Sequence, residues 1–481
     1  MKIVELLPRL RGLDIRGDVQ REVVRVSRDS RDVDAQTVFV AIRGASVDGH
    51  DKLAGIAPGL AIVEREVEVS AETTVVRVPN ARAALAAVAA ALHGDPARSM
   101  RVVGVTGTKG KTTTAALIDA CWLYNGRASG RIGTTGSFLR GDALPSELTT
   151  PEAPELQALF ARMKASGATD VVMEVSSIGL VQRRVDEIPF HFALFTNLGR
   201  DHLDFHGTME AYTAAKAALF ERCLRPEGGM PRAALWKGDP AWRAMGAPAD
   251  RWLFGFEADC DVQVAGWKVD AGRMMVDLAT PFGTTQVRTP LIGRFNALNV
   301  AAAACAGLSS GLTIDAVGAG LSALHGVPGR FELIDNSREL LVVVDYAHTE
   351  ESLVEVLTAL RECTRGKLWV VFGCGGDRDP GKRPRMGAAA ARLADHVVVT
   401  TDNPRSEPPL QIIDAILSGV AGSVSLAEED RERAIRWTLA QASPGDTVLI
   451  AGKGHETYQE IQGVKYPFDD RVVARAAMEE R

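Results

Sequence analysis

The stretch Val105-Thr106-Gly107-Thr108-Lys109-Gly110-Lys111-Thr112-Thr113-Thr114 decides the fold of this chain. It follows a short apolar run and opens into a helical pattern, which predicts a strand, a glycine-rich turn and a helix. The amides of such a turn can wrap phosphate oxygens, while Lys111 can reach the β- and γ-phosphates and the Thr112 hydroxyl can bind Mg²⁺. Val105 stands where the general P-loop pattern has a glycine, so we expect Gly107 to supply the flexibility. The pattern favours a nucleoside triphosphate site over an ordinary glycine-rich turn.

The composition is typical of a globular protein with several cores. The chain has 481 residues, of which 46% are apolar and 24% charged, and its formal net charge is −6. At roughly 150 residues per domain, this length suggests about three domains. Because the sequence has no Lys/Arg block and no apolar run of about 18 residues, we expect neither nucleic acid nor a membrane as a partner. The six cysteines lack Cys-x-x-Cys spacing and the charged N-terminus does not resemble a signal peptide, so we expect a cytoplasmic protein.

The order of strand-like and helical segments predicts an α/β fold with three domains. Residues 1–98 form a small N-terminal α/β domain, because β-rich runs precede an alanine-rich helix at 81–92 and a Gly/Pro break follows. Residues 99–332 form the central P-loop domain, where apolar strands alternate with helices as in a parallel sheet. Residues 333–481 form a C-terminal Rossmann-like domain.

Polar side chains follow the strands of the third domain. The carboxyl ends of parallel strands meet at one edge of a sheet, where ligands bind. The sequence therefore predicts a second site, formed by the strand-loop pairs 341–344 and 345–348, 368–372 and 373–378, 397–399 and 400–405, and 447–450 and 451–456.

Two groups near the P-loop could bind metal. Glu174 ends a predicted strand and His202 follows another, which makes both plausible Mg²⁺ ligands, although imidazole is a softer donor than Mg²⁺ usually takes. Read alone, Glu174 could equally be a solvated strand-end carboxylate. Thr208 can cap a helix over 209–220, and Lys216 on that helix would by itself be a solvent-exposed lysine.

Several long motifs occur in one order along the chain, at residues 106–112, 173–177, 197–204, 212–216, 295–299, 327–332 and 345–349. Together they resemble the ATP-dependent Mur ligases of peptidoglycan synthesis, from about Asp29 to Arg471. Within that family, Asp402-Asn403-Pro404-Arg405 and Gly452-Lys453-Gly454-His455-Glu456 resemble the members that add meso-diaminopimelate to UDP-N-acetylmuramoyl-L-alanyl-D-glutamate.

The resemblance implies an amide ligase of peptidoglycan precursor synthesis. ATP would phosphorylate the γ-carboxyl of D-glutamate, the amine of the diamino acid would attack the acyl phosphate, and ADP and phosphate would leave. Charge on the transferring phosphoryl group requires fixed cations, which Lys111 and Mg²⁺ can supply. We therefore expect ATP and two Mg²⁺ ions as cofactors, a UDP-N-acetylmuramoyl dipeptide and a diamino acid as the other substrates, and a monomer.

The resemblance also implies roles for individual residues. The catalytic groups are Lys111, Glu174, His202 and Lys216, and the metal ligands are Thr112, Glu174, His202 and Lys216 as its carbamate. ATP is bound by Gly107, Thr108, Lys109, Gly110, Lys111, Thr112, Thr113, Asn296, Asn299, Arg330, Asp345 and His348. The nucleotide-sugar dipeptide is bound by Ser30, Ala45, Ser46, Val47, Thr149, Thr150, Ser176, Gln182 and Arg184. The amino acid is bound by Arg378, Asp402, Asn403, Pro404, Arg405, Gly452 and Glu456.

Two features bear on the choice of substrate. A zwitterionic side-chain terminus needs an anion receptor and an ammonium receptor together, which Arg405 and Glu456 can provide. Ser176-Ser177-Ile178 departs from the family motif, which commonly has a histidine in third place, so we expect no histidine to act there.

Three alternatives stay open at this point. The same ligase could add L-lysine or another diamine, although lysine has no distal carboxylate for Arg405. A catalytically inactive nucleotide-binding homologue could keep the fold, although Glu174, His202 and Lys216 are all present. A folylpolyglutamate synthase would not explain residues 402–405 or 29–31.

Overall fold

The strand before the glycine-rich turn belongs to a mixed α/β fold with several parallel sheets, which confirms the predicted fold class. The computed structural model describes residues 1–12, 14–44, 47–145, 148–224, 230–246, 248–270, 272–422 and 424–480. The chain divides into two compact units, of which the first contains Met1–Val262 and Ala302–Gly320 and the second contains Gln263–Ala301 and Leu321–Arg481.

The first unit begins with a small sheet packed on two helices. Its elements are α1 (Ile3–Leu10), β1 (Asp14–Arg16), β2 (Arg25–Ser27), β3 (Thr37–Val40), β4 (Leu60–Val63), β5 (Thr74–Arg77) and α2 (Ala81–Leu92). The strand order is β1-β5-β4-β3-β2, with β2 to β5 parallel and β1 antiparallel. The Asn80 side chain accepts a hydrogen bond from the Ala83 amide and caps α2, which confirms the helix predicted at 81–92.

The larger sheet of the first unit carries the glycine-rich turn. Its elements are β6 (Arg101–Thr106), α3 (Lys111–Tyr124), β7 (Ser129–Gly133), β8 (Gly136–Leu139), β9 (Asp142–Leu144), α4 (Ala153–Ala165), β10 (Asp170–Glu174), α5 (Ser177–Val181), β11 (Phe190–Phe195), α6 (Leu203–His206), α7 (Met209–Glu221), β12 (Ala233–Trp236) and β13 (Arg251–Gly255). The strand order within this unit is β13-β12-β11-β6-β10-β7-β8-β9. Because β6 pairs in parallel with both β10 and β11, the residues that follow these three strands lie at one edge.

The second unit holds an antiparallel group of strands, β14 (Val262–Asp270), β15 (Arg273–Thr280) and β16 (Gly283–Thr289). Two helices, α8 (Arg294–Ser309) and α9 (Ile314–Ser322), cross the division between the units.

The remainder of the second unit is a mostly parallel sheet with helices. Its elements are β17 (Glu332–Ile334), β18 (Leu341–Asp345), α10 (Glu350–Cys363), β19 (Leu368–Phe372), α11 (Lys382–Leu393), β20 (His396–Val399), α12 (Pro409–Leu417), β21 (Leu426–Ala427), α13 (Arg431–Gln441), β22 (Thr447–Ala451), β23 (Tyr458–Ile461), β24 (Val464–Pro467) and α14 (Asp470–Glu479). The strand order is β17-β18-β22-β19-β20-β21, and β18, β22, β19 and β20 run parallel as predicted. Strands β23 and β24 form a separate antiparallel hairpin.

The two compact units divide the chain at other positions than the predicted domain boundaries. The boundaries at 98 and 332 fall inside the first and second unit respectively. The three-domain division therefore stays a prediction. In the described part of the chain, no helix combines the length and the apolar character needed to cross a membrane.

A buried ion pair fixes two strand ends of the second unit. The side chains of Arg431 and Asp470 are both 0% exposed, and Nε and Nη2 of Arg431 each donate to the carboxylate of Asp470 at 2.7 Å. Nη1 of Arg431 donates to the Thr401 carbonyl and Nη2 also donates to the Ala451 carbonyl, both at 3.0 Å. Thr401 follows β20 and Ala451 ends β22, so one guanidinium group ties together two of the predicted site loops.

We expect Arg431→Met to lower the free energy of unfolding by about 3–5 kcal/mol, because it leaves the Asp470 carboxylate buried and unpaired. Urea unfolding followed by circular dichroism measures the change. The matched control is Arg433→Met, which removes an exposed arginine 3.7 Å from Asp430 and should change stability by about 0.5 kcal/mol or less. Equal effects of the two substitutions would contradict the role of the buried pair.

Candidate active site

Glycine is required in the turn after β6. Gly107 has a φ of +150°, and a Cβ at this position would overlap the Thr196 hydroxyl. Gly110 has a φ of +84° and immediately precedes α3. Both conformations are strained for residues with a side chain. Gly107 thus supplies the flexibility that Val105 cannot, as predicted.

The end of β11 clamps the turn from the side. The backbone carbonyl of Asn197 accepts a hydrogen bond from the Thr108 amide at 2.9 Å. The side-chain oxygen of Asn197 accepts one from the Lys109 amide at 2.8 Å. Thr196 Oγ1 donates to the Lys109 carbonyl at 2.6 Å. These contacts join residues almost 90 positions apart, so the shape of the turn depends on the neighbouring strand as well as on its glycines.

Glu174 lies against the first turn of α3. Its Oε2 accepts hydrogen bonds from Thr112 Oγ1 at 3.0 Å and Thr134 Oγ1 at 3.1 Å, while its Oε1 accepts from the Thr134 amide at 2.8 Å. Glu174 is 1% exposed. It is therefore a buried, oriented carboxylate next to the P-loop threonine, not a solvated strand-end residue.

Lys216 is buried beneath the same turn. Lys216 is 1% exposed, and its Nζ donates a hydrogen bond to the Gly107 carbonyl at 2.9 Å. Burial, and then the positive charge of Lys111, lower the pKa of Lys216 well below its ordinary value. Lys111 Nζ donates to the carbonyls of Gly107 and Thr108 at 2.8 and 2.9 Å, so the two amines share one acceptor. Lys216 is thus not the solvent-exposed lysine that its helix suggests, and its amine is held toward the neutral form.

Tyr212 joins Lys216 to the turn. Its hydroxyl lies 3.1 Å from Thr108 Oγ1, and the Lys216 Nζ lies 4.4 Å from the centre of its ring. Burial raises the pKa of Tyr212 to about 12, so this hydroxyl keeps its proton. Thr208 caps the helix that carries both residues, as predicted.

His202 lies further out than the other predicted metal ligands. Its side chain is 46% exposed, and Nε2 lies 3.6 Å from Asp201. Among the residues that the structure describes, no group of three or more His, Cys, Asp or Glu side chains is arranged to hold a metal ion. Among the predicted metal ligands, Thr112 and Glu174 are buried and offer oxygen atoms of the hard type that Mg²⁺ prefers.

A hydrogen-bonded group of predicted nucleotide-sugar residues adjoins Glu174. Thr150 Oγ1 donates to the Glu174 carbonyl and accepts from the Ser176 amide, both at 3.0 Å. Arg184 donates to the Thr150 carbonyl at 2.7 Å and to Gln182 at 2.5 Å, and it lies 2.9 Å from Glu152. Thr149 lies 3.0 Å from the Thr134 hydroxyl. The structure thus brings Thr149, Thr150, Ser176, Gln182 and Arg184 together.

Two of the remaining predicted nucleotide-sugar residues lie in loops of the N-terminal sheet region. Ser30 is half-buried beyond β2, and Val47 is 53% exposed, with its carbonyl accepting a hydrogen bond from the Gly44 amide. Ala45 and Ser46 lie outside the described residues.

A histidine from elsewhere in the chain contacts the Ser-Ser-Ile motif. His206 at the end of α6 places Nε2 2.9 Å from Ser177 Oγ. Its ring centre lies 5.1 Å from that of Tyr212. Burial lowers the pKa of His206. The prediction that no histidine acts at position 178 stays a prediction, because the His206 imidazole comes from another helix and contacts Ser177.

The predicted ATP residues of the second unit lie at the ends of α8 and β18. Asn299 Nδ2 donates to Asn296 Oδ1 at 3.0 Å, and both residues are buried. Asp345 accepts from the amides of Phe331 and Ala347 at 2.7 and 2.8 Å, and burial raises its pKa. Arg330 lies 4.6 Å above the Tyr346 ring, and His348 Nδ1 lies 2.8 Å from the Tyr346 carbonyl.

The predicted amino-acid residues meet at the same sheet edge. Asn403 Nδ2 donates to Glu456 Oε2 at 2.8 Å. Gly452 has a φ of +119°, and a Cβ there would lie 2.5 Å from Asp402 Oδ2, so only glycine fits beside this loop. Pro404 is buried, and Arg378 is exposed on the adjoining loop.

Arg405 is held by the β23–β24 hairpin. Its φ is +50°, which is unusual for a residue with a side chain. Its amide donates to the Glu460 carbonyl at 3.0 Å, and its carbonyl accepts from the Gln462 amide at 2.7 Å. Its guanidinium donates to the Gly376 carbonyl at 2.7 Å and lies 3.4 Å from Glu460. Contacts of both the backbone and the guanidinium therefore hold Arg405 in this strained conformation.

Four further residues shape these sites but were not predicted from the sequence, namely Thr134, Asn197, Lys453 and Glu460. Thr134 and Asn197 follow β7 and β11, so the rule that strand ends meet at one edge could have found them. Lys453 stands inside a quoted motif, and only its burial shows its importance. Glu460 had no signal in the sequence.

A P-loop beside a buried carboxylate and lysine, with polar loops at the end of a second parallel sheet, defines an α/β nucleotide-dependent enzyme. Residues 105–307 match the Mur ligase middle domain, and residues 329–454 match the Mur ligase, glutamate ligase domain. The chain belongs to the Mur ligase family of ATP-dependent ligases.

Full-length relatives support the family assignment. The chain is 42% identical to UDP-N-acetylmuramoyl-L-alanyl-D-glutamate--2,6-diaminopimelate ligase of Geobacillus kaustophilus, with 100% of both chains covered. It is 43% identical to the protein of that name from Gloeobacter violaceus, covering 100% of this chain and 99% of the relative. A solved structure of a ligase with that name is 33% identical with a TM-score of 0.72, covering 100% of this chain and 99% of the other.

We expect the free energy of unfolding of the wild type to rise relative to that of Lys216→Met between pH 7 and pH 10. Since the pKa of Lys216 is lower in the folded chain, the unfolded chain binds more protons, and stability increases with pH. Denaturant unfolding in CO₂-free buffer measures this difference. Lys164→Met, at an exposed helical position, should show no such trend, and a pH-independent difference for Lys216→Met would contradict the lowered pKa.

Proposed function

We propose that this chain is an ATP-dependent ligase that joins meso-diaminopimelate to the D-glutamate γ-carboxyl of UDP-N-acetylmuramoyl-L-alanyl-D-glutamate. The full-length similarity to ligases of that name carries the proposal. The site geometry agrees with it, because a phosphate-binding turn lies beside a buried carboxylate in one unit and paired charged groups lie at a sheet edge of the other.

The reaction has two steps. A γ-carboxylate oxygen of D-glutamate attacks the γ-phosphorus of ATP. The bond from the γ-phosphorus to the β,γ-bridging oxygen breaks, so ADP is expelled as the acyl phosphate forms. The neutral amine of meso-diaminopimelate then attacks the acyl carbon, loses a proton, and expels phosphate. Amides at the N-terminus of α3 and the Lys111 ammonium would face the phosphates, since a helix N-terminus and a fixed cation favour the negative charge. The Thr108 and Lys109 amides instead bond to Asn197 and would shape the turn.

Lys216 is proposed to act as its carbamate. Its buried amine is held toward the neutral form, which is the form that adds to CO₂. The nitrogen forms a bond to the carbon of CO₂ and releases a proton, which converts an amine into a carboxylate-like anion.

The residues around the turn fit Mg²⁺. Thr112, Glu174 and the carbamate of Lys216 offer oxygen donors, and His202 would serve a second ion. When bound, Mg²⁺ neutralises negative charge on the transferring phosphoryl group. Thr134 orients Glu174 through two hydrogen bonds.

The polar groups adjoining Glu174 are proposed to hold the dipeptide. Thr149, Thr150, Ser176, Gln182 and Arg184 form one connected network, which suits a chain of peptide and carboxylate groups. Ser30 and residues 45–47 would hold the uridine end. Asn296, Asn299, Arg330, Asp345 and His348 would bind the nucleoside part of ATP.

The diamino acid is proposed to bind between opposite charges. Arg405 would pair with the distal carboxylate and Glu456 with the distal ammonium, and Arg378, Asp402, Asn403, Pro404 and Gly452 would complete the site. L-lysine lacks the distal carboxylate, so Arg405 favours meso-diaminopimelate. We further propose a cytoplasmic monomer with domain boundaries at 98 and 332, without nucleic acid or membrane partners.

Amino-acid-dependent ADP release tests the proposed function. Purified protein receives ATP, Mg²⁺ and UDP-N-acetylmuramoyl-L-alanyl-D-glutamate with meso-diaminopimelate, L-lysine or neither. Turnover with meso-diaminopimelate alone is expected. Strong turnover with L-lysine and none with meso-diaminopimelate would reject the proposed substrate, and no turnover with any diamino acid would indicate an inactive homologue.

Arg405→Ala should raise the KM for meso-diaminopimelate at least about tenfold and leave the KM for ATP nearly unchanged, because it removes a charge-assisted contact to one substrate only. Steady-state kinetics measure both constants. Arg392→Ala, at an exposed position of α11, is the control. Equal effects on both KM values would place Arg405 outside the amino-acid site.

Lys216→Ala should abolish ligation while the protein still binds the nucleotide-sugar dipeptide, since the substitution removes the carbamate but not the residues that adjoin Glu174. Calorimetric titration of the dipeptide and the ADP-release assay give the two readouts. Unaltered turnover would refute the carbamate.

A further inference from the structure

Lys453 is a buried charged residue that the proposed reaction does not use. Its side chain is 0% exposed, at the loop that follows β22. Nζ donates to Asn403 Oδ1 at 3.0 Å and to Glu456 Oε2 at 3.1 Å, and lies 5.6 Å from the centre of the Tyr458 ring. A fully buried ammonium is costly unless it is paired and hydrogen-bonded, so these contacts define where Lys453 acts.

The contacts of Lys453 distinguish the two oxygens of Glu456. Oε2 accepts from both Lys453 Nζ and Asn403 Nδ2, at 3.1 and 2.8 Å. An ionised carboxylate has about four lone-pair sites on two oxygens, so two donors on Oε2 leave the lone pairs of Oε1 to accept from a further donor. The Glu456 side chain is 18% exposed, whereas Lys453 is not exposed at all. A ligand can therefore reach Glu456 but not Lys453.

Asn403 is fixed from a second direction. The Glu460 amide of β23 donates to Asn403 Oδ1 at 2.9 Å, so this oxygen accepts from both Lys453 and the hairpin. Gln459 Nε2 donates to the Asp402 carbonyl at 2.8 Å. With its oxygen held by two donors, Asn403 must present its amide nitrogen to Glu456. The orientation of the carboxylate thus follows from Lys453.

We propose that Lys453 is a positioning residue for recognition of the diamino acid, which sets the orientation and charge balance of Glu456 without touching the ligand. This rests on the proposed function of the second-unit site. The Lys453 ammonium compensates Glu456 before the ligand arrives, and Oε1 stays available for the ammonium group of the incoming amino acid. Loss of Lys453 leaves a carboxylate with one fewer partner and a rotatable side chain.

A double-substitution cycle tests this inference. Lys453→Met, Glu456→Gln and the combined variant are assayed for ADP release with meso-diaminopimelate, beside wild type. Lys453→Met should raise the KM for meso-diaminopimelate at least about tenfold, as expected when one partner of a buried charge pair is removed. The KM values for ATP and the nucleotide-sugar dipeptide should change by about twofold or less. In the Glu456→Gln background, Lys453→Met should add little, since residues in one network are not additive.

The control and the second variant separate positioning from folding. Lys465→Met removes an exposed lysine 4.3 Å from the centre of the same Tyr458 ring and should leave all three KM values unchanged. Lys453→Gln keeps a hydrogen-bond donor without the charge and should give an intermediate KM. If both Lys453 variants lose the folded circular dichroism spectrum, Lys453 serves the fold and the proposal is overturned.

The remaining outcomes are equally decisive. Additive effects in the cycle, or equal increases in the KM for ATP and meso-diaminopimelate, would overturn the positioning role while the wild type still ligates. Absence of wild-type turnover with meso-diaminopimelate would instead reject the proposed function. In that case Lys453 would have no diamino acid to position.

Discussion

The buried ion pair between Arg431 and Asp470 is the constraint on which the second-unit site depends. In a low-dielectric interior, a guanidinium is tolerable when it is paired and hydrogen-bonded, and four of its five N–H groups have partners here: two bond to the carboxylate and two to backbone carbonyls. Those carbonyls belong to Thr401 and Ala451, which precede the loops that carry Asn403 and Gly452. The Arg431 guanidinium, which must be paired when it is buried, therefore also sets the spacing of the loops that carry Asn403 and Gly452.

The first unit contains a second buried basic group, the amine of Lys216, and burial holds it toward its neutral form. Lys216 meets the Gly107 carbonyl but no carboxylate partner appears among its described hydrogen bonds, and Lys111 adds a like charge. The energetic cost falls on the ammonium form, which favours a neutral amine beside the phosphate-binding turn. Burial therefore has opposite consequences in the two units. In the second unit the charged Arg431 is paired with Asp470, whereas in the first unit the Lys216 amine is held toward its neutral form.

The sequence predicts those parts of the structure that depend on local pattern. The β6 strand, the glycine-rich turn, the helix at 81–92, the Thr208 cap and the parallel strands of the second unit follow from apolar runs, turn residues and capping side chains. Contacts across the sheet were not predictable in this way. Thr134 reaches Glu174 over 40 positions and Asn197 reaches Lys109 over 88, so their partners depend on strand order. His206 was missed for the same reason, since only the tertiary fold brings α6 to Ser177. The roles of the site residues stay predictions.

The β23–β24 hairpin holds Arg405 largely through main-chain atoms. The Arg405 amide and carbonyl bond to the backbone of Glu460 and Gln462, so these two bonds do not involve the side chains at positions 460 and 462. Val464 and Tyr466, on the opposite strand of the hairpin, are 50% and 51% exposed. Substitutions at exposed positions of the hairpin can therefore leave the strained backbone of Arg405 unchanged. Low sequence similarity at those positions is thus a poor guide to a difference in chemistry.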